Sequence, residues 1–295
     1  MFRDTNLRKL SLCTADAASH ASLILPTLST LETLQIRGSY LDRCDLELPL
    51  SLQKLTFQEC YCSPEWLCIL IIALSSIGHH IECELDDLEL QSSDTVNTSS
   101  SQLQASELTT NLMQCDMSNI ELHVKTCSRE LFEMFRDTNI RTLALGTAAA
   151  VSHISQILPT LSKLETLDLS GSYLERCDLQ LPLSLQTLYF LEGYCSPEWL
   201  CTLIIALSSL GHHIVCVLFN LELQSSSTVN TSSSQLQASE LTTNLTSCDM
   251  SNIELRVKIG SRELFGMFRE TNIRTLWLGT ADAVSHASLI LHSAS

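Results

Sequence analysis

Met1-Phe2-Arg3-Asp4-Thr5-Asn6 returns as Met134-Phe135-Arg136-Asp137-Thr138-Asn139 and again as Met267-Phe268-Arg269-Glu270-Thr271-Asn272, a period of 133 residues. About three-quarters of the first copy is unchanged in the second, so the duplication is recent on the scale of sequence drift. A fixed internal period decides architecture before any single residue is read, because each repeat must be one structural unit stacked on the next. The reading is a single domain over residues 1–295, made of super-repeats 1–133 and 134–266 and a shorter third, 267–295, with the look of a slice from a longer array.

A shorter pattern, apolar-x-x-apolar-x-apolar, recurs inside each copy. It runs from Leu7 to Leu12, Leu31 to Ile36, Leu52 to Phe57, Leu85 to Leu90 and Met117 to Leu122, and starts again at Ile140, Leu164, Leu185, Leu218, Met250 and Ile273. These eleven segments predict eleven short strands, each hiding one edge and presenting the other. One such unit is too small to bury its apolar edge alone, so neighbours must stack in parallel and share a continuous core.

The pattern resembles the leucine-rich repeat family over essentially the whole chain. The resemblance implies an α/β solenoid, a curved horseshoe with parallel strands on the concave face and helices on the convex face. The family's usual Asn or Cys at the ninth motif position is mostly absent here, where Ala15, Ser39, Cys60, Ser93 and Lys125 stand. That departure favours the ribonuclease-inhibitor-like subclass, as in the sensor regions of NOD-like innate-immune receptors. The resemblance thus implies ligand or protein recognition through the strand face, with a passive scaffold or inhibitor as the alternative, in a cytoplasmic protein.

Helix signals fill the connections. Ser63 followed by Pro64 and the apolar run from Leu67 to Ile77 predicts a capped helix, ended by Gly78, with His79 and His80 meeting its last carbonyls. Further helices are predicted from Ser101 through Leu112 and from Ser128 through Phe135 by apolar spacing of three and four.

Charge and composition then exclude functions. With 17 basic and 33 acidic residues the chain carries a net charge of −16, which repels a phosphate backbone, so nucleic acid is not an expected ligand. No apolar stretch approaches the roughly 20 residues needed to span a bilayer, and no signal peptide is visible. No glycine-rich phosphate loop, Gly-x-Ser-x-Gly elbow or His-Glu-x-x-His helix occurs, so the chain reads as a non-enzyme without a cofactor. An odd total of thirteen cysteines, three of which become glycine in the second copy, argues for reduced thiols rather than a disulfide framework. Cys62, Cys68, His80 and Cys83 have the right chemistry for zinc. A straight helix between Cys62 and His80 would, however, hold the ends about 15 Å or more apart, so no metal is expected. Asn97, Asn230 and Asn244 open formal glycosylation triplets inside Ser/Thr-rich segments where such triplets arise by chance.

The two copies also offer a comparison of what changed after duplication. Positions assigned to the buried edge barely differ, whereas those assigned to the open edge change at Lys9 to Thr142, Ser11 to Ala144, Gln35 to Asp168, Lys54 to Thr187, Thr56 to Tyr189, Asp86 to Phe219 and Asp87 to Asn220. The third copy sets Trp277 where Ser11 and Ala144 stood. Aromatic side chains supply large contact area and often anchor interfaces. The candidate partner-binding residues are therefore Tyr189, Phe219 and Trp277, with Asp168, Asp86, Asp87 and Lys54 beside them, and the expected partner is a protein or other macromolecule.

Overall fold

A computed structural model describes residues 6–41, 46–91, 110–174, 179–224, 245–258, 262–268 and 271–279. The chain forms two compact units, Met1–Leu164 and Glu165–Ser295. In the first, β1 (Lys9–Leu12), β2 (Thr33–Tyr40), β3 (Lys54–Cys62), β4 (Ile81–Leu90), β5 (Ile120–Cys127) and β6 (Thr142–Leu145) lie in chain order. In the second the strands are β7 (Thr166–Tyr173), β8 (Thr187–Cys195), β9 (Ile214–Leu223), β10 (Ile253–Val257) and β11 (Thr275–Leu278). Pairing within each unit is parallel, and helices alternate with the strands, so both units are α/β repeat stacks.

The inward residues form ladders that cross each unit. Leu34, Leu55, Cys83, Leu122 and Leu143 pair in register, as do Ile36, Phe57, Leu85, Val124 and Leu145. All ten are buried. In the second unit the matching ladders run Leu167, Leu188, Cys216, Leu255, Leu276 and Leu169, Phe190, Leu218, Val257, Leu278. Each fully buried leucine contributes about 1.5–3 kcal/mol, and a parallel sheet fed by helical crossovers is the arrangement that lets successive repeats share that gain.

Helices close the buried side. Pro64–Ser75 begins where Ser63 accepts a hydrogen bond from the Trp66 amide at 3.2 Å, and it buries Trp66, Leu67, Leu70, Ile71 and Leu74. Trp66 stacks on Tyr40 with ring centroids 4.7 Å apart and meets the edge of Phe57. Pro197–Ser208 repeats this in the second unit, where Trp199 stacks on Tyr173 at 4.4 Å. Shorter helices follow β1, β5, β6 and β10 at Ala15–Ala21, Arg129–Met134, Ala148–Ile154 and Arg262–Met267.

Four details differ from the sequence reading. The Pro64 helix stops at Ser75 with Ser76 as its C-cap, before Gly78, whose φ is not positive. His79 bonds the Leu52 carbonyl at 2.7 Å, reaching back to the turn before β3 rather than to the helix end. The helix expected from Ser101 lies mostly outside the described residues, with a helical segment at 110–114, as do the three glycosylation triplets. Finally, β2, β3 and β4 span eight to ten residues, because each continues past a left-handed residue, Gly38, Glu59 or Asp87. Gly171, Glu192 and Asn220 repeat that kink in β7, β8 and β9.

Length in β4 shifts the register of the motif. Lys54 pairs with Glu82 and Phe57 with Leu85, so the pattern's inward pair in this strand is Cys83 and Leu85. Leu88 and Leu90 belong to the segment beyond the kink. The strand holds two overlapping apolar frames, and the one with the clearer leucines is the second. The residues that face outward beside Lys54 and Thr56 are therefore Glu82 and Glu84, and Asp87 occupies the kink itself with φ 54°.

Candidate binding surface

Each strand turns every second side chain away from the core, and register sets these into rows. In the first unit the middle row reads Ser11, Gln35, Thr56, Glu84, His123, Ala144. Below it run Lys9, Thr33, Lys54, Glu82, Glu121 and Thr142. This face is an ion network. The Lys54 ammonium lies 2.6 Å from Glu82 and 3.0 Å from Glu84, and Glu84 also pairs with Lys125. Glu121 takes His123 at 2.9 Å and His80 at 3.1 Å. Arg37 donates to Gln58 in the row above.

Burial would push the Glu84 carboxyl up, but the ammonium groups of Lys125 and Lys54 outweigh it and hold it below the usual carboxylate range. Burial likewise pulls Lys54 down, and its bonds to Glu82 and Glu84 more than reverse that. A shallow cleft of about 370 Å³ lies over this network, lined by Lys9, Gln35, Lys54, Glu84, Asp86 and Lys125 among others. Lys54, Glu84 and Lys125 in its lining are already partnered with one another.

The corresponding rows of the second unit have a different character. The middle row reads Asp168, Tyr189, Val217, Arg256, Trp277. Above it stand Ser170, Leu191 and Phe219, and below it Thr166, Thr187, Val215, Glu254 and Thr275. Where Lys54, Gln58, Glu82 and Glu84 stood, Thr187, Leu191, Val215 and Val217 now stand. Two cations edge this apolar band. Lys258 lies 4.8 Å over the Phe219 ring, and Arg256 lies 5.9 Å over Trp277 while bonding Glu254 at 2.7 Å. Trp277 is 62% exposed, with Tyr189 and Phe219 partly exposed beside the two valines.

The predicted residues thus fall into two groups. Tyr189, Phe219, Trp277 and Asp168 share one face in the second unit, and Lys54 and Asp86 share one in the first. Asp87 is exposed at its kink. Sequence reasoning passed over Leu191, Val215, Val217, Arg256 and Lys258. The signal was present: Glu82-x-Glu84 becomes Val215-x-Val217, two acids on one strand edge exchanged for β-branched residues. The register slip in β4 and β9 hid it.

Cys62, Cys68 and Cys83 are buried, whereas His80 sits in the turn before β4 and pairs with Glu121. A hydrogen bond with Cys60, then burial, raises the Cys62 thiol, and burial pushes Cys68 up to about 11 and Cys83 up to about 12. Protonated thiols are poor metal ligands, and among the described residues no group of three or more His, Cys, Asp or Glu is placed to hold a metal ion. The described cysteines, Cys13 through Cys248, are free thiols. No described helix is long and apolar enough to cross a membrane.

No protein-family model matches the chain, and no curated protein matches it.

Proposed function

We propose that this chain is a leucine-rich-repeat recognition protein that holds a protein partner on the open strand face of its second unit. One observation carries the reading: two copies that share their buried ladders differ on the outward rows, where an ion-paired network in the first unit has as its counterpart Tyr189, Leu191, Val215, Val217 and Phe219. An exposed apolar band flanked by charge is the composition of an interface centre, and singly scattered surface apolar residues do not make one. A sensor region of the NOD-like receptor kind, as the sequence resemblance implies, would use such a face, and so would an inhibitor-type repeat protein. Catalysis has no place in this reading, since the outward rows bring together no nucleophile with an activating base.

The test is affinity capture with the full chain and with a variant carrying Tyr189→Ala, Phe219→Ala and Trp277→Ala. The three substitutions touch the outward rows only, so thermal unfolding should be nearly unchanged. A partner held by the wild type should be bound at least about 2 kcal/mol more weakly by the variant, roughly thirtyfold in Kd. Equal retention by both proteins would sink the proposal.

A further inference from the structure

We propose that the second unit's face selects an extended acidic peptide segment, one that sets a carboxylate beside aliphatic or aromatic side chains; the inference rests on the recognition reading above and adds the chemistry of the partner. Lys125 and Lys258 are the same residue in successive copies. In the first unit the Lys125 ammonium is taken by Glu84. The residue at Glu84's place in the second unit is Val217, and among the described residues Lys258 lies against the Phe219 ring with no carboxylate in an ion pair. The two copies thus share the cation and differ in the acid that neutralises it.

The neighbouring positions moved the same way. In the rows that precede the kinks of β3 and β4 and on β5, the outward charges are Lys54 and Lys125 with Glu82, Glu84, Asp86 and Glu121. At the equivalent places, Arg256 and Lys258 stand beside Glu254, while the exposed carboxylates Glu192 and Glu222 lie at and beyond the kinks of β8 and β9. Glu82 differs together with its partner Lys54, whose place Thr187 takes, but relaxed drift of a solvated surface gives no reason for Val217 and Phe219 to stand at the places of Glu84 and Asp86 while Lys125 has its counterpart in Lys258. A visitor that brings its own carboxylate does. That carboxylate takes the place Glu84 holds in the first unit, and the apolar side chains next to it cover Val217, Leu191 and Phe219. The contact with the Phe219 ring holds the Lys258 ammonium at the band's edge, where an arriving anion meets it.

An extended peptide fits this surface because its alternate side chains match the spacing between outward rows, while Arg256 stacked on Trp277 closes one side of the band. The basic counterpart of such a peptide meets Lys258, which among the described residues has no carboxylate in an ion pair, and is repelled.

The experiment uses the full chain and three fluorescein-labelled 12-residue peptides with identical Leu, Phe, Gly and Ser positions, differing only in whether the remaining positions are Glu, Gln or Lys. Fluorescence anisotropy at physiological salt should give at least tenfold tighter binding of the Glu peptide than of the Lys peptide. Val217→Glu, which rebuilds the acid of the first unit, should weaken the Glu peptide at least tenfold with an unchanged circular dichroism spectrum and Tm. Lys258→Gln should abolish the preference for the Glu peptide over the Gln peptide. The proposal is overturned if wild type binds the Glu and Lys peptides equally, if it binds neither, or if a folded Val217→Glu protein binds as wild type does. If wild type binds all three alike and the triple alanine variant loses all three, the recognition face stands and its acidic selectivity falls.

Discussion

Glu84 sits at the centre of the first unit's outward rows, with an ammonium group on either side, and its folded-state carboxyl is held below the usual range. A carboxyl whose pKa is depressed on folding contributes stability above the unfolded value and loses it as pH falls through the folded one. Lys54 and Lys125 are raised, so their contribution is present below the ordinary lysine range and is lost as pH rises through the raised values. Between roughly pH 5 and pH 10 the charges of Lys54, Glu84 and Lys125 are therefore constant. Replacing Glu84 with Gln should cost about 1 kcal/mol at pH 7, a modest figure because both lysines are partly exposed, and the two proteins should converge below about pH 3. Urea midpoints measured across that range decide it; a deficit that persisted at pH 2 would mean that Glu84 acts through packing rather than charge. Val217 stands at this place in the second unit, so that face lacks the corresponding carboxyl.

At the level of elements, the helix Pro64–Ser75 shows how local chemistry and packing agree. Ser63 is buried, extended and bonded to the Trp66 amide, Pro64 fits a position whose amide needs no partner, and Trp66 is pinned between Tyr40 and Phe57. Ser63→Ala leaves that amide without its acceptor and should cost about 1 kcal/mol, and Ser196→Ala should cost the same, since Ser196 caps Trp199 at 3.1 Å. Chemical denaturation of the two single variants and the double tests this, and a near-zero effect in either would show that water replaces the cap. Such elements were legible because their signals are local: a capping serine, a proline, an apolar spacing of three or two. All eleven strands were found for that reason. Register in β4 and β9 was not legible, because a left-handed residue inside the strand lets two apolar frames coexist, and Asp87 and Asn220 look like any polar turn former until φ is known. His79 was misplaced because its partner, the Leu52 carbonyl, belongs to another strand's approach, which helix-capping rules do not see. The candidate face was legible in part: its aromatic members stood out by type, while Val217 gained meaning only once register placed it between Tyr189 and Arg256, and Val215 between Thr187 and Glu254.

For the whole molecule the net charge of −16 stands against an acidic partner, and the conflict is resolved by distance. Mutual repulsion between the chain and an acidic peptide acts while they approach, over a Debye length of about 30 Å at 0.01 M salt but only about 8 Å at 0.15 M. Attraction by Lys258 acts within contact range, next to the Phe219 ring. Salt should therefore remove the long-range opponent first. The association rate of the Glu peptide should rise severalfold between 10 and 150 mM NaCl while its dissociation rate changes little, and the Lys peptide, drawn in by the same field, should show the opposite trend. Stopped-flow anisotropy separates the two rates. A fall in the Glu peptide's association rate over this interval would mean that the local basic band dominates even at a distance, and the acidic remainder of the chain would then play no part in choosing who arrives.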